Sequence, residues 1–402
     1  MDLLRYSAAG FRPAKPHPSS RTPPPHRGFI AVRSSLSLPF TEQKAAYFKE
    51  LEAAVGVVER ACRLCVNVQK TLLSSDGRIL EKTDDTPVTI ADFGVQALVS
   101  LEMSKLFPSI PLVAEEDSMF LRSNNLVDAV VNVVNDNSGD SLTQDEVLEA
   151  IDRGGKDAYS FGPEPATYWI LDPIDGTRGF VKGSDALYVV GLALVVNGQI
   201  VLGVMGCPNW RDSLLSRSSN DPMPGVLMIS HIGCGTWRKT LWLNDAGFLS
   251  DYWNRCFVDD CDLVQRARFC IPESQTWKSL PLSALYNATS QAENIGNKEI
   301  LLLRACCGSL CKYLLVASGG ASVFYLHVKA GKLIKAWDHA VGIICVNEAG
   351  GKVSDWRGNP LDFSEDKVER RLIYPSGGVL VTNDSLHEPI LGIISTDSLL
   401  NI

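Results

Sequence analysis

Nine residues near the middle of the chain, Trp169-Ile170-Leu171-Asp172-Pro173-Ile174-Asp175-Gly176-Thr177, constrain its fold and chemistry more than any other stretch. From Thr167 to Leu171 every residue is β-branched, aromatic or aliphatic, the composition of a buried strand. Proline has no N–H to give a ladder, so the strand is expected to stop at Asp172-Pro173. Two carboxylates then stand three residues apart, followed by a glycine and a hydroxyl. Two readings fit. One is a plain Asp-Pro and Asp-Gly turn closing a strand. The other is an oxygen-rich site for a hard divalent cation such as Mg²⁺, with Gly176 letting the backbone approach a bound anion.

The remaining pattern alternates helices and strands. Phe48, Leu51, Val55, Val58, Cys62 and Cys65 step by three and four, which predicts an amphipathic helix from Thr41, its expected N-cap, to about Leu73. A second helix is expected from Asp92 to about Phe107, where the helix dipole favours a first-turn carboxylate. Ile110 to Ala114 reads as a short buried strand with Glu115-Glu116-Asp117 at its end. Residues 118–165 are polar and acidic, with helices expected near Leu126–Val134 and Gln144–Ile151, and read as a surface insertion of the kind that forms lids. Asn197-Gly198-Gln199 between Leu187–Val196 and Ile200–Met205 marks a hairpin, so the sheet is partly antiparallel. Strands are expected at Ile300–Arg304, Ala321–Val328 and Gly378–Thr382. Helices are expected over Gly308–Ala317 and from Ala336-Trp337-Asp338-His339-Ala340 to Glu348, the latter stopped by Gly350-Gly351.

Composition bounds the partners. Apolar content of 45% and charged content of 21% in 402 residues suit one large domain or two. A net charge of −8 argues against nonspecific nucleic-acid binding, and no apolar run approaches membrane-spanning length. Residues 1–40 stand apart: six Lys/Arg against the single acid Asp2 give +5 there and −13 over the rest. Basic, Ser- and Pro-rich and nearly acid-free, this stretch has the composition of an organelle transit peptide, for a mitochondrion or alternatively a chloroplast. Of the eleven cysteines, Cys62 and Cys65 continue a helical apolar stripe and read as core rather than as zinc ligands. Cys306, Cys307 and Cys311 cluster without nearby histidines.

Carboxylates therefore recur at element ends: Asp92, Glu115, the Asp172/Asp175 pair and Asp338. Grouped carboxylates repel one another unless cations neutralise them, and two-metal phosphoryl transfer needs such a group. In this order, Asp92, Glu115-Glu116, Asp172-Pro173-Ile174-Asp175-Gly176-Thr177 and Trp337-Asp338-His339-Ala340 resemble the inositol monophosphatase superfamily of lithium-sensitive, Mg²⁺-dependent phosphatases. Thr86-Pro87-Val88-Thr89, the extension Arg178-Gly179-Phe180, Gly206-Cys207-Pro208-Asn209 and Gly233-Cys234-Gly235-Thr236-Trp237 resemble its 3'(2'),5'-bisphosphate nucleotidase branch, which acts on 3'-phosphoadenosine 5'-phosphate (PAP). The resemblance covers residues 41–402.

It implies an α/β (α+β layered) fold of alternating helix and sheet layers, like inositol monophosphatase and fructose-1,6-bisphosphatase. It implies a metal-site subdomain over about 41–225 and a second over about 226–402 that contributes Asp338 and nucleotide contacts. It makes Glu115, Asp172, Asp175, Asp338 and the Ile174 carbonyl ligands of two or three Mg²⁺ ions, and Asp92 and Thr177 the pair that orients and deprotonates the attacking water. Gly176, Ser309, Lys312 and His327 become candidate substrate contacts, on a small nucleotide rather than on nucleic acid or membrane. In two places the chain departs from its relatives. Tyr325-Leu326-His327 stands where they carry arginine, and Pro272-Glu273-Ser274-Gln275 where they carry a histidine-serine segment. The implied reaction is hydrolysis of the 3'-phosphate of PAP or its sulfated precursor PAPS. The rivals are an inositol (poly)phosphate phosphatase and a catalytically silent relative serving as a binding protein.

Overall fold

The computed structural model describes residues 38–74, 80–81, 87–155, 160–164, 166–183, 186–211, 224–241, 252–272, 301–304, 308–329 and 332–400. Two units separate by their contacts, Met1–Ser37 and Leu38–Ile402. The second holds everything that follows. Cys306, Cys307 and the segment 273–275 lie outside the described residues.

Helix α1 spans Phe48–Ser74 and α2 Ile90–Leu106. Thr41 does not cap α1: its carbonyl closes a turn with the N–H of Lys44, and Tyr47, with φ +58°, breaks the chain just ahead of the helix. The two helices pack on each other and on a seven-stranded sheet. That sheet has the order β3 (Leu112–Ala114), β4 (Thr167–Asp175), β5 (Val189–Val196), β6 (Gln199–Cys207), β7 (Val226–His231), β8 (Gly235–Thr240), β9 (Asn254–Arg255). Only β3 and β4 pair in parallel, and the β5–β6 hairpin turns at Asn197-Gly198, both at positive φ, as the sequence requires. The last strand of this sheet, β9, ends at Arg255.

The other face of the sheet meets α7 (Ser309–Ala317) and α8 (Ala340–Glu348), apolar on nearly all sides because both are buried between two sheets. Beyond them lies a five-stranded sheet of order β11 (Leu301–Arg304), β10 (Arg268–Ile271), β12 (Val323–His327), β16 (Gly378–Asn383), β14 (Gly351–Asp355). Its outer face is covered by α9 (Asp384–Leu400) through Leu386, Ile390 and Ile394. The result is helix, sheet, helix, sheet, helix. Two-stranded pairs, β1 (Leu80–Glu81) with β2 (Pro87–Val88) and β13 (Ile334–Lys335) with β15 (Leu372–Ile373), complete the described strands.

One further expectation is corrected. Strand β4 does not stop at Pro173: it runs to Asp175 with a register shift in which Asp172 faces Gly191 and Asp175 faces Val189. The bulge absorbs the missing proline N–H. Within 118–154 three helices build a local core against α2. Helices α3 (Ser118–Asn124), α4 (Val127–Ser138) and α5 (Gln144–Gly154) bury Leu121, Val130, Val134, Val147, Leu148 and Ile151 against Phe93 and Ala97 of α2. Their polar residues face outward and their apolar stripes make a core.

Candidate active site

The β4 bulge turns Asp172, Ile174 and Asp175 toward one point, where the N-terminal ends of four helices meet. Asp92 is the third residue of α2. Its Oδ2 accepts hydrogen bonds from the backbone N–H and the hydroxyl of Thr89, both at 2.8 Å, a capping box in which Thr89 is the N-cap. Its Oδ1 faces the other way and accepts a hydrogen bond from Thr177 Oγ1 at 3.2 Å. The two oxygens of this one buried carboxylate thus serve different partners, Oδ2 the helix cap and Oδ1 Thr177.

Thr177 opens α6 (Thr177–Lys182), whose N-cap Gly176 holds φ +92°, a left-handed conformation that favours glycine. The Thr177 hydroxyl also lies 3.1 Å from the Ile174 carbonyl oxygen, so two acceptors compete for one proton. Asp175 is seated on the N-terminus of α7: its Oδ1 accepts from the N–H of Ser309 at 3.1 Å and its Oδ2 from that of Leu310 at 2.6 Å. A Cβ on Gly308 would fall 1.8 Å from Asp175 Oδ1, so only glycine admits the carboxylate here.

Single oxygens of Asp172, Asp175 and Asp338 lie within 4.8 Å of one another. Asp172 Oδ1 is buried with no hydrogen-bond partner, a costly state for a carboxylate unless a cation takes the oxygen. Burial first, then the charges of Asp175, Glu115, Asp338 and Asp92, push the Asp172 carboxyl well above the usual range. Asp338 is raised by burial and by Asp175 and Glu115. Asp175 is pushed up to about 6 by burial, an effect moderated by Lys312 and by the two α7 N–H groups. An all-oxygen group of this charge fits a hard divalent cation and offers nothing to a thiophilic one.

Lys312 is no surface charge. It is 2% exposed, and its Nζ donates to the Gly308 carbonyl at 2.8 Å, leaving its charge beside Asp175. Ser309 joins the same turn. His327 lies elsewhere, at the end of β12, half-buried and stacked on Trp356 with ring centroids 5.0 Å apart. His339, next to Asp338, is held neutral by burial, its pKa lowered to about 3, and its Nδ1 pairs with the Tyr313 hydroxyl at 2.8 Å.

Three supporting residues had no individual role assigned from the sequence. Thr89 fixes Asp92, and the Thr-x-x-Asp spacing of a capping box was its signal. Gly308 makes room for Asp175. Gln96 holds the Glu115-Glu116 segment from both sides, accepting the Glu116 N–H at 2.8 Å and donating to the carbonyls of Glu116 and Ile151 at 2.7 and 2.8 Å. A buried glutamine inside an apolar helix was the available clue.

The five-layer arrangement defines the class. The structure superposes on inositol monophosphatase II of Staphylococcus aureus with a TM-score of 0.54 at 16% identity, over 88% of this chain and 97% of that one. It superposes on an IMPase of Thermotoga maritima with a TM-score of 0.53 at 18% identity, over 87% and 98%. Residues 45–397 match the Inositol monophosphatase family, and the chain belongs to that family. It is 61% identical over 398 residues to an Arabidopsis thaliana protein named "Putative 3'(2'),5'-bisphosphate nucleotidase, mitochondrial", covering 98% of this chain and 97% of that one. It is 35% identical to a 3'(2'),5'-bisphosphate nucleotidase of Oryza sativa, covering 86% and 93%. The chain is an enzyme of the phosphoric monoester hydrolase class.

Proposed function

We propose that the chain hydrolyses the 3'-phosphate of PAP, and to an extent still to be measured that of PAPS, releasing AMP and phosphate from PAP in a Mg²⁺-dependent reaction. The observation that carries this reading is the Thr177–Asp92 pair standing beside an all-oxygen cluster in which Asp172 Oδ1 is buried and unpartnered. The substrate is drawn from the names of the nucleotidase relatives. Glu115, Asp172, Asp175, Asp338 and the Ile174 carbonyl would hold two or three Mg²⁺ ions. When bound, the ions offset the charge of the phosphate and of the carboxylates around it.

The protein's own groups account for the proton. As a water oxygen bonds to phosphorus, Thr177 Oγ1 takes the water proton and passes its own to Asp92 Oδ1, along the 3.2 Å hydrogen bond already in place. The phosphorus–O3' bond breaks in line, and the ribose oxygen leaves with a proton from solvent. Thr89 keeps Asp92 Oδ1 pointed at Thr177 throughout. Gly176 offers a backbone N–H at a helix start, Ser309 its hydroxyl, and Lys312 a buried positive charge, for the phosphate.

The acid-poor N-terminal 40 residues, with the mitochondrial name of the Arabidopsis relative, support delivery to the mitochondrion. The deciding experiment is phosphate release by the protein lacking residues 1–40 from PAP, PAPS, inositol 1-phosphate and inositol 1,4-bisphosphate, with Mg²⁺ and with excess chelator. PAP is expected to turn over fastest and only with Mg²⁺. Preference for an inositol phosphate, or turnover in chelator, would reject the proposal.

A further inference from the structure

We propose that Arg371 is a positioning residue that fixes the separation between the Glu115 side and the Asp338 side of the acidic centre. The inference rests on the centre being the dication site argued above. These two sides are far apart in sequence, at the end of β3 and ahead of α8, and a site for small cations needs its oxygens held to a few tenths of an ångström. Arg371 touches both sides, one with its backbone and one with its side chain.

The backbone serves Asp338. Strand β15 pairs with β13, Leu372 opposite Lys335, and the N–H of Ala336 donates to the Arg371 carbonyl at 2.8 Å. Asp338 follows two residues later. The side chain serves Glu115. One guanidinium nitrogen donates to the carbonyl of Gly155, the residue after α5. Gly155 lies directly on the Glu116 carbonyl: a Cβ there would fall 1.9 Å from that oxygen. A push on Gly155 is therefore transmitted to Glu116, whose N–H and carbonyl are pinned by Gln96, and to its neighbour Glu115.

The strut is itself anchored. Asp366 Oδ2 accepts the N–H groups of Arg371 at 2.9 Å and Leu372 at 3.2 Å, and its Oδ1 those of Val368 and Glu369. The neighbouring Arg370 is 1% exposed and donates to the carbonyls of Gly162 and Glu164 at 3.1 and 2.9 Å, while the Phe161 N–H donates to the Val368 carbonyl. The loop 366–371 thus also clasps the segment that leads into β4 and the Asp172/Asp175 pair. Arg371 itself reaches one carbonyl with its side chain, that of Gly155. Its remaining ion pair, Nε to Glu369 at 3.6 Å, is long and half-open to solvent, and such pairs contribute little.

The test is a calorimetric titration of Mg²⁺, without nucleotide, into the full chain and into Arg371→Met and Arg371→Lys. Melting temperature serves as a folding control, and KM for PAP is measured at saturating Mg²⁺. Arg371→Met is expected to weaken Mg²⁺ binding roughly 10-fold, the lower end of what groups behind metal ligands contribute. KM for PAP at saturating Mg²⁺ is expected to stay unchanged. Arg371→Lys, which keeps a donor for Gly155, is expected to restore most of the Mg²⁺ affinity. A merely structural arginine would lower the melting temperature and leave Mg²⁺ affinity where it was, and that result overturns the proposal. Should Arg371→Met fail to fold, Asp366→Asn takes its place under the same rule. A wild-type protein that takes up no Mg²⁺ would overturn both this inference and the proposed metal chemistry. Unchanged affinity in a folded variant of a Mg²⁺-binding wild type overturns the inference alone.

Discussion

Replacing Asp92 by asparagine separates the two jobs of that side chain. The carboxylate spends Oδ2 on Thr89 and Oδ1 on Thr177. An amide of the same shape keeps its oxygen on the Thr89 N–H and hydroxyl, so the capping box survives. Its Nδ2 then faces Thr177 Oγ1 as a donor, occupying the lone pair that must receive the water proton. The stability cost is that of one first-turn charge at a helix N-terminus, about 0.3–1 kcal/mol. The rate cost is that of general-base assistance, roughly 10²–10⁴-fold, or about 2.7–5.4 kcal/mol of barrier at 1.36 kcal/mol per decade. Thr177→Ala removes the same path from its other end, so the double variant should be little slower than either single one. Thr177→Ser, which keeps the hydroxyl, should retain much of the rate. The assay is single-turnover PAP hydrolysis at saturating Mg²⁺ by wild type, both single variants, the double variant and Thr177→Ser, with melting temperature alongside. Additive losses, or an Asp92→Asn enzyme of near-normal turnover, would show that Asp92 is a helix cap and nothing more.

Gly308→Ala is expected to abolish PAP turnover and Mg²⁺ uptake together, because its Cβ would stand 1.8 Å from Asp175 Oδ1; a variant that folds and binds Mg²⁺ normally would refute the placement of Asp175 on α7. For pH, the sign follows from Asp175, whose carboxyl is pushed from an ordinary 3.8 up to about 6. The folded state then holds its proton more tightly than the unfolded one, so the contribution of Asp175 to metal-free stability is lost as pH rises from about 4 through about 6, and the raised carboxyls of Asp172 and Asp338 act in the same direction. Thermal melts in chelator should follow that decline and Mg²⁺ should reverse it; melts flat across the window would contradict the burial argument. A fluorescent fusion of residues 1–45 is expected in mitochondria, and a cytosolic fusion would remove the address assigned to that segment.

Much of the layered fold could be read locally. Long periodic helices and the Asn197-Gly198 hairpin announce themselves because their determinants are neighbours in sequence. The misses share a different origin. Whether Pro173 ends a strand depends on whether the partner strand tolerates a bulge, and Val189–Gly191 supplies that answer from elsewhere in the chain. What the apolar stripes of the helices in 118–154 meet is likewise set from elsewhere in the chain, and they meet α2. Helix α9 escaped notice because Pro389 interrupts its pattern, although the outer face of the second sheet needs a cover and Leu386, Ile390 and Ile394 provide it.

The candidate site was legible for a reason that also made each residue ambiguous. Asp92, Thr177 and Asp175 all stand at helix N-termini, and Asp338 stands two residues ahead of one. Short oxygen-bearing side chains are the preferred caps of helices and also the preferred ligands of hard cations, so no single position tells one use from the other. What distinguishes them is the oxygen left over. A cap needs one acceptor, and Asp92 satisfies that need with Oδ2 while aiming Oδ1 elsewhere. Asp172 caps no helix, and its Oδ1 is buried without a partner. Asp175 does sit on a helix start, yet its carboxyl is still held near 6 by burial, despite two N–H groups and a lysine. Capping leaves the charge of this group only partly compensated, and that surplus is a property of the assembled site. Strand β4, the start of α2 and the turn ahead of α8 deliver Asp172, Asp175, Asp92 and Asp338, and their convergence creates a demand for a cation that no one of them would have alone.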